Sequence, residues 1–172
     1  MSWLLSLLTL LCAAGMGAFY YAMEFSRKSP RRLPAEGREF HMPDVHFHNT
    51  PDAFYKTVEQ AGGEGRLLMR RYWLLDFGFI ASFWGICIAI GLNVAGKGTA
   101  LFLWMGIAAT ARTAFDLLEN SLFLWLLRAY PRRNDGLASV AGVMTSLKFV
   151  CLYTWVAMLF YKLFLAAFGI GA

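Results

Sequence analysis

From Trp3 to Met23 the chain carries no charged residue, and three later stretches of comparable length carry very few. A run of roughly 20 apolar residues matches the ~30 Å hydrocarbon core of a bilayer, where a helix satisfies all its own backbone hydrogen bonds. The sequence therefore predicts an all-α fold: an integral membrane, up-down bundle of four transmembrane helices. The spans fall at about 3–23, 70–92, 99–127 and 137–168. The links at 93–98 and 128–136 are short, which makes neighbouring spans antiparallel. With 58% hydrophobic and 16% charged residues, the 172-residue chain has little left for a soluble module, and one domain over 1–172 is expected.

The first span reads as an uncleaved anchor. No basic residue precedes it, its apolar run exceeds that of a signal peptide, and Leu10 and Leu11 precede Cys12 where lipoprotein cleavage requires small residues. Ala14, Ala18 and Ala22 recur every fourth residue along it, a small-residue stripe suited to close approach by another helix.

Lys and Arg are distributed unevenly. The first loop and its flanks hold Arg27, Lys28, Arg31, Arg32, Arg38, Lys56, Arg66, Arg70 and Arg71, and the third link holds Arg128, Arg132 and Arg133. The second link has Lys97 alone. By the positive-inside rule the 24–66 loop is cytoplasmic and both termini lie outside the cell membrane. This bias accounts for the net charge of +5 without a nucleic-acid partner. Membrane lipids are the expected partners, with Arg27, Lys28, Arg31 and Arg32 placed to meet anionic headgroups, and a homo-oligomer or a second membrane protein is compatible with the pattern.

No cofactor is expected. Cys12, Cys87 and Cys151 all fall within spans and no C-x-x-C pair occurs, which excludes quinone-linked disulfide chemistry. The histidines lie in the first loop, so the spans offer no bis-histidine haem site. His46 and His48 point to the same side of an extended segment near Asp44 and Asp52, with His41 upstream. They are weak metal candidates, because the spacing matches no metal signature.

Further along this loop, Thr50 reads as an N-cap, Pro51 as the first helical residue and Asp52 as a first-turn acid. A short amphipathic helix over 51–61 follows, with Phe54, Tyr55, Val58 and Ala61 opposite Asp52, Lys56 and Glu59. It rests on the membrane surface or against the bundle, and Gly62, Gly63 and Gly65 end it.

The third span carries the main candidate site. At about 100° per residue, Arg112, Asp116, Glu119 and Asn120 share one helix face, which cannot face lipid. Asp76 on the second span and Lys148 on the fourth lie at matching depths, counted as roughly 12–16 Å from the cytoplasmic side. The six side chains should form one buried polar cluster in the middle or cytoplasmic half of the bundle. A structural reading pairs Arg112 with Asp116 along one helix and Lys148 with Glu119 or Asp76 between helices, but three acids against two bases leave one carboxylate over, which favours a working site.

Thr50, Pro51, Tyr55, Gly62, Gly65, Arg66, Tyr72 and Asp76, then Asp116, Glu119, Asn120, Thr145 and Lys148, resemble a group of small bacterial four-helix membrane proteins of uncharacterised function. The resemblance covers about residues 43–150 and implies a bacterial inner membrane setting. It supplies no activity and no catalytic residue. Two functional classes stand. The first is a non-enzymatic interaction partner or small carrier whose cluster binds a proton, a cation or a polar solute. The alternative is an intramembrane enzyme or lipid-binding protein with Asp116 and Glu119 as acid and base.

Overall fold

The computed structural model describes residues 3–30, 42–43 and 47–169. These form α1 (Trp3–Glu24), α2 (Pro51–Ala95), α3 (Ala100–Ala129) and α4 (Asp135–Ala167), with no strand among the described residues. All four helices are long and apolar enough to cross a membrane. The fold is the expected all-α bundle, compatible with a multi-pass membrane protein.

Each of the last three helices begins at a polar cap. Ala53 N donates to Thr50 Oγ1 at 3.3 Å, Phe102 N to Thr99 Oγ1 at 3.1 Å and Leu137 N to Asn134 Oδ1 at 3.1 Å. Helix α2 is interrupted at Gly62, where φ is 65° and ψ −167°. Glycine alone takes that conformation without strain, and it turns the 51–61 arm onto the bundle. Phe54, Tyr55, Val58 and Ala61 are buried there, and Asp52, Lys56 and Glu59 are exposed. The amphipathic arm thus packs against α3 and α4 rather than lying free on a membrane surface.

Helix α1 packs mainly on α2, while α2, α3 and α4 all touch one another. The α1–α2 contact runs through Cys12 beside Gly85, Gly15 beside Ser82 and Phe19 over Gly78. A Cβ on Gly78 would meet the Phe19 ring at 2.3 Å. Ala14 and Ala18 are exposed instead, so the alanine stripe does not serve this contact. The reason is steric: Gly78 and Gly85 on α2 leave hollows for Phe19 and Cys12 of α1, and Gly15 on α1 leaves one for Ser82 of α2.

Helix α1 is 22 residues long, about 33 Å, which is close to the thickness of a hydrocarbon core. It ends level with Tyr72, whose hydroxyl donates to Glu24 Oε1 at 3.2 Å. The 51–61 arm, the start of α4 and the end of α3 all project past this level. Together they build a cap with its own core, in which Phe54, Trp73 and Phe123 stack and are 1%, 0% and 0% exposed. A second, smaller core of Cys87, Met105, Ala108, Ala109 and Trp155 lies alongside α1.

Candidate functional site

A layer of polar side chains separates the two cores. Asp76 comes from α2, Arg112, Asp116, Glu119 and Asn120 from α3, and Lys148 from α4, so the six residues expected together are together. Glu119 and Asn120 are fully buried, and Asp76, Asp116 and Lys148 are buried as well. The α3 face forms because positions 112, 116, 119 and 120 recur at i+4 and i+3, placing their side chains one above another.

The Lys148 ammonium is held between two carboxylates. Its Nζ lies 3.0 Å from Asp116 Oδ1 and in ion-pair contact with Glu119 Oε2. Arg112 Nη2 approaches the other oxygen of Asp116 at 2.6 Å, and its guanidinium lies 4.5 Å from the centre of the Phe83 ring. Asp116 therefore accepts from both cations, one on its own helix and one on α4. On the α2 side, Asn120 Nδ2 donates to Asp76 Oδ2 at 2.7 Å. Such pairing is required here, since removing one partner of a buried ion pair leaves a charge whose lost hydration nothing repays.

Thr145 belongs to the layer too. Its hydroxyl lies 2.5 Å from Glu119 Oε1 and 3.0 Å from the Ala141 carbonyl oxygen, and its single proton serves one of them at a time. In the sequence it stood only beside Lys148 among the residues that carry the resemblance, outside the expected polar cluster.

The layer lies close to the end of α1. Asp76 lies one turn, about 6 Å, beyond Tyr72, the level at which α1 ends. The end of α3 and the start of α4 line the cap, whose interior is as apolar as the rest of the bundle.

The remaining candidates divide. Arg27 and Lys28 are exposed just beyond α1, where the Lys28 carbonyl accepts from Arg71 Nη1 at 3.3 Å. Arg31, Arg32, His41 and His46 lie outside the described residues. His48 is exposed, with Nδ1 3.5 Å from Ser146 Oγ on α4. Among the described residues no group of three His, Cys, Asp or Glu side chains is placed to hold a metal ion.

Comparison with protein-family models, with curated proteins and with solved structures returns no match.

Proposed function

We propose that this chain is a non-enzymatic polytopic membrane protein, an interaction partner or small carrier, whose sealed polar layer holds a proton. The observation that carries the reading is the charge count within the layer. Among the described residues, Asp76, Asp116 and Glu119 stand against Arg112 and Lys148, and we read a proton shared among the carboxylates as what balances these five. A proton also needs no cavity, whereas a metal cation would have to displace Lys148 from the carboxylates it bridges. Three surface grooves among the described residues have other linings, which favours a closed site over an acid–base enzyme open to substrate.

Infrared titration of the protein in lipid nanodiscs tests this. Wild type should show the carbonyl band of a protonated carboxyl at neutral pH, and Asp76→Asn or Glu119→Gln should remove it. A wild-type spectrum without that band overturns the proton reading. A purely structural layer behaves differently under mutation. In that case Lys148→Met alone costs about 3–5 kcal/mol, Lys148→Met with Glu119→Gln recovers part of it, and neutral carboxylate variants change no transport or binding phenotype.

The proposed setting is a bacterial inner membrane, with both termini outside and the 24–66 loop in the cytoplasm, as the Lys and Arg bias supports. A cysteine introduced by Asp135→Cys, at the exposed start of α4, should stay unlabelled by an impermeant thiol reagent until the cells are opened. Labelling in intact cells would reverse the orientation.

A further inference from the structure

At the end of the bundle rich in arginine, α2 and α3 border a half-open groove of about 650 Å3, a size within the roughly 300–1,000 Å3 of small-ligand sites. Its walls are of two kinds. Leu67 and Leu74 on α2 and Trp125 on α3 provide apolar surface, each about half exposed or more. Arg66 and Arg70, one turn apart on α2, and Arg128 on α3 add three guanidinium groups, and among the described residues no acidic side chain lines the groove. The Arg66 guanidinium is steadied over the Tyr130 ring, 4.9 Å from its centre.

The depth of the groove is informative. Leu74 lies within a turn of Tyr72, the level at which α1 ends, and Arg66 is about 12 Å further out along α2. The groove therefore begins at the edge of the hydrocarbon and runs outward through the headgroup zone. Tryptophan favours that zone, because one side of its ring is apolar and its N–H needs a polar partner.

Neither feature is explained by itself. A soluble phosphate would meet the arginines and leave the leucine and tryptophan surface wet. An uncharged lipid would cover that surface and leave three guanidinium groups without a counterion. A molecule with an anionic phosphate above an acyl chain satisfies both walls. We propose that this groove binds an anionic glycerophospholipid of the surrounding bilayer, its phosphate between Arg66, Arg70 and Arg128 and its upper acyl chain along Leu74 and Trp125.

The test uses the full chain in phosphatidylcholine nanodiscs doped with chain-brominated phosphatidylglycerol or chain-brominated phosphatidylcholine. Quenching assigned to Trp125 is the difference between wild type and Trp125→Phe. It should appear at a lower mole fraction of the brominated anionic lipid than of the zwitterionic one. The preference should fall about fivefold for each arginine neutralised, and vanish in Arg66→Gln, Arg70→Gln, Arg128→Gln. The pair Arg70→Gln, Arg128→Gln alters only exposed side chains and gives the same answer should the triple variant not fold. Arg27→Gln with Lys28→Gln, beyond the end of α1, should leave the preference intact. Equal quenching by both lipids overturns the proposal. So does a preference kept by the arginine variants, or one lost equally in the Arg27 and Lys28 variant, which would indicate a diffuse surface field. Release of the brominated lipid by added inorganic phosphate would assign the arginines to a soluble anion instead.

Discussion

The cap and the stretch alongside α1 are both apolar inside, yet they are built from different residues. In the cap, Phe123 stacks on Phe54 at 5.2 Å and on Trp73 at 5.1 Å, with Val58, Met69 and Leu126 around them, all essentially without exposure. Its outer surface carries Asp52, Lys56, Glu59 and Arg133. Alongside α1 the pattern inverts. The contacts there use Gly15, Gly78, Gly85, Ala108 and Ala109, while Leu103, Trp104, Leu10 and Tyr153 face outward. None of the most apolar stretch of α1 is buried by the rest of the chain. Water drives large side chains inward, because burying apolar area is the main favourable term there. Lipid gives no such gain, and helices in it associate by close backbone approach across small residues. The polar layer sits at the seam, one turn inside the level where α1 ends.

The contrast breaks most directly at the aromatic stack. Phe123→Ala removes the ring shared by Phe54 and Trp73 and should cost about 3–5 kcal/mol, measured by SDS titration in mixed micelles. Leu103→Ala, at 60% exposure on the outward face of α3, should change stability by less than about 0.5 kcal/mol in lipid nanodiscs. Equal losses at the two sites would show that the cap is not driven by hydrophobic burial.

These differences also decide what was legible in the sequence. The four helices could be read because charge-free runs of that length have few other uses, and the turn at Gly62 because three glycines cluster behind an N-cap and an amphipathic stripe. Apolar runs locate the helices but do not say which of their residues fill the cap core. Leu126 on α3 and Ala138 and Ala141 on α4 are apolar because they fill the cap core, and composition does not separate that from contact with lipid. The members of the polar layer could be read individually, since each charge in an apolar helix needs a partner. Thr145 carried no charge to attract notice. The α1 contact face was misleading because a stripe of alanines and a row of glycine hollows both look small, and only the partner helix decides which is used. The groove between α2 and α3 combines residues some 60 positions apart, which no local pattern joins.

Glycine packing sharpens the comparison on the membrane side. Gly78→Ala forces its new methyl into the Phe19 ring and should cost about 1–3 kcal/mol, whereas Gly17→Ala meets nothing within 4 Å and should be neutral. A larger outward replacement of Gly17 would be equally silent. If Gly78→Ala proves neutral, α1 is free to shift on α2 and its docking is looser than the Phe19 contact implies.

The smallest effect belongs to the charged outer surface of the cap. There Arg133 pairs with Asp52 on the amphipathic arm at 2.6 Å and with Asp135 at 3.1 Å, all three side chains well exposed. The hydrogen bond to Asp52, then that to Asp135, raises the Arg133 pKa above the ordinary arginine value. The sign matters: a raised pKa adds stability that is complete below the unfolded-state value and is lost only as pH climbs through the folded-state value. For an arginine both values lie far above neutrality, so this pair should add no slope to stability between pH 7 and 10. Solvent and salt also screen such a pair, and Asp52→Asn should leave the unfolding midpoint unchanged at physiological ionic strength. Tyr55→Phe at the same joint should cost about 1 kcal/mol, because its hydroxyl oxygen accepts from the Asn134 backbone N–H at 2.6 Å and that donor is partly shielded from water. If Asp52→Asn costs as much as Tyr55→Phe, the amphipathic arm is held by surface charge as well as by its buried face, and the cap is less like a water-soluble core than its aromatic stack indicates.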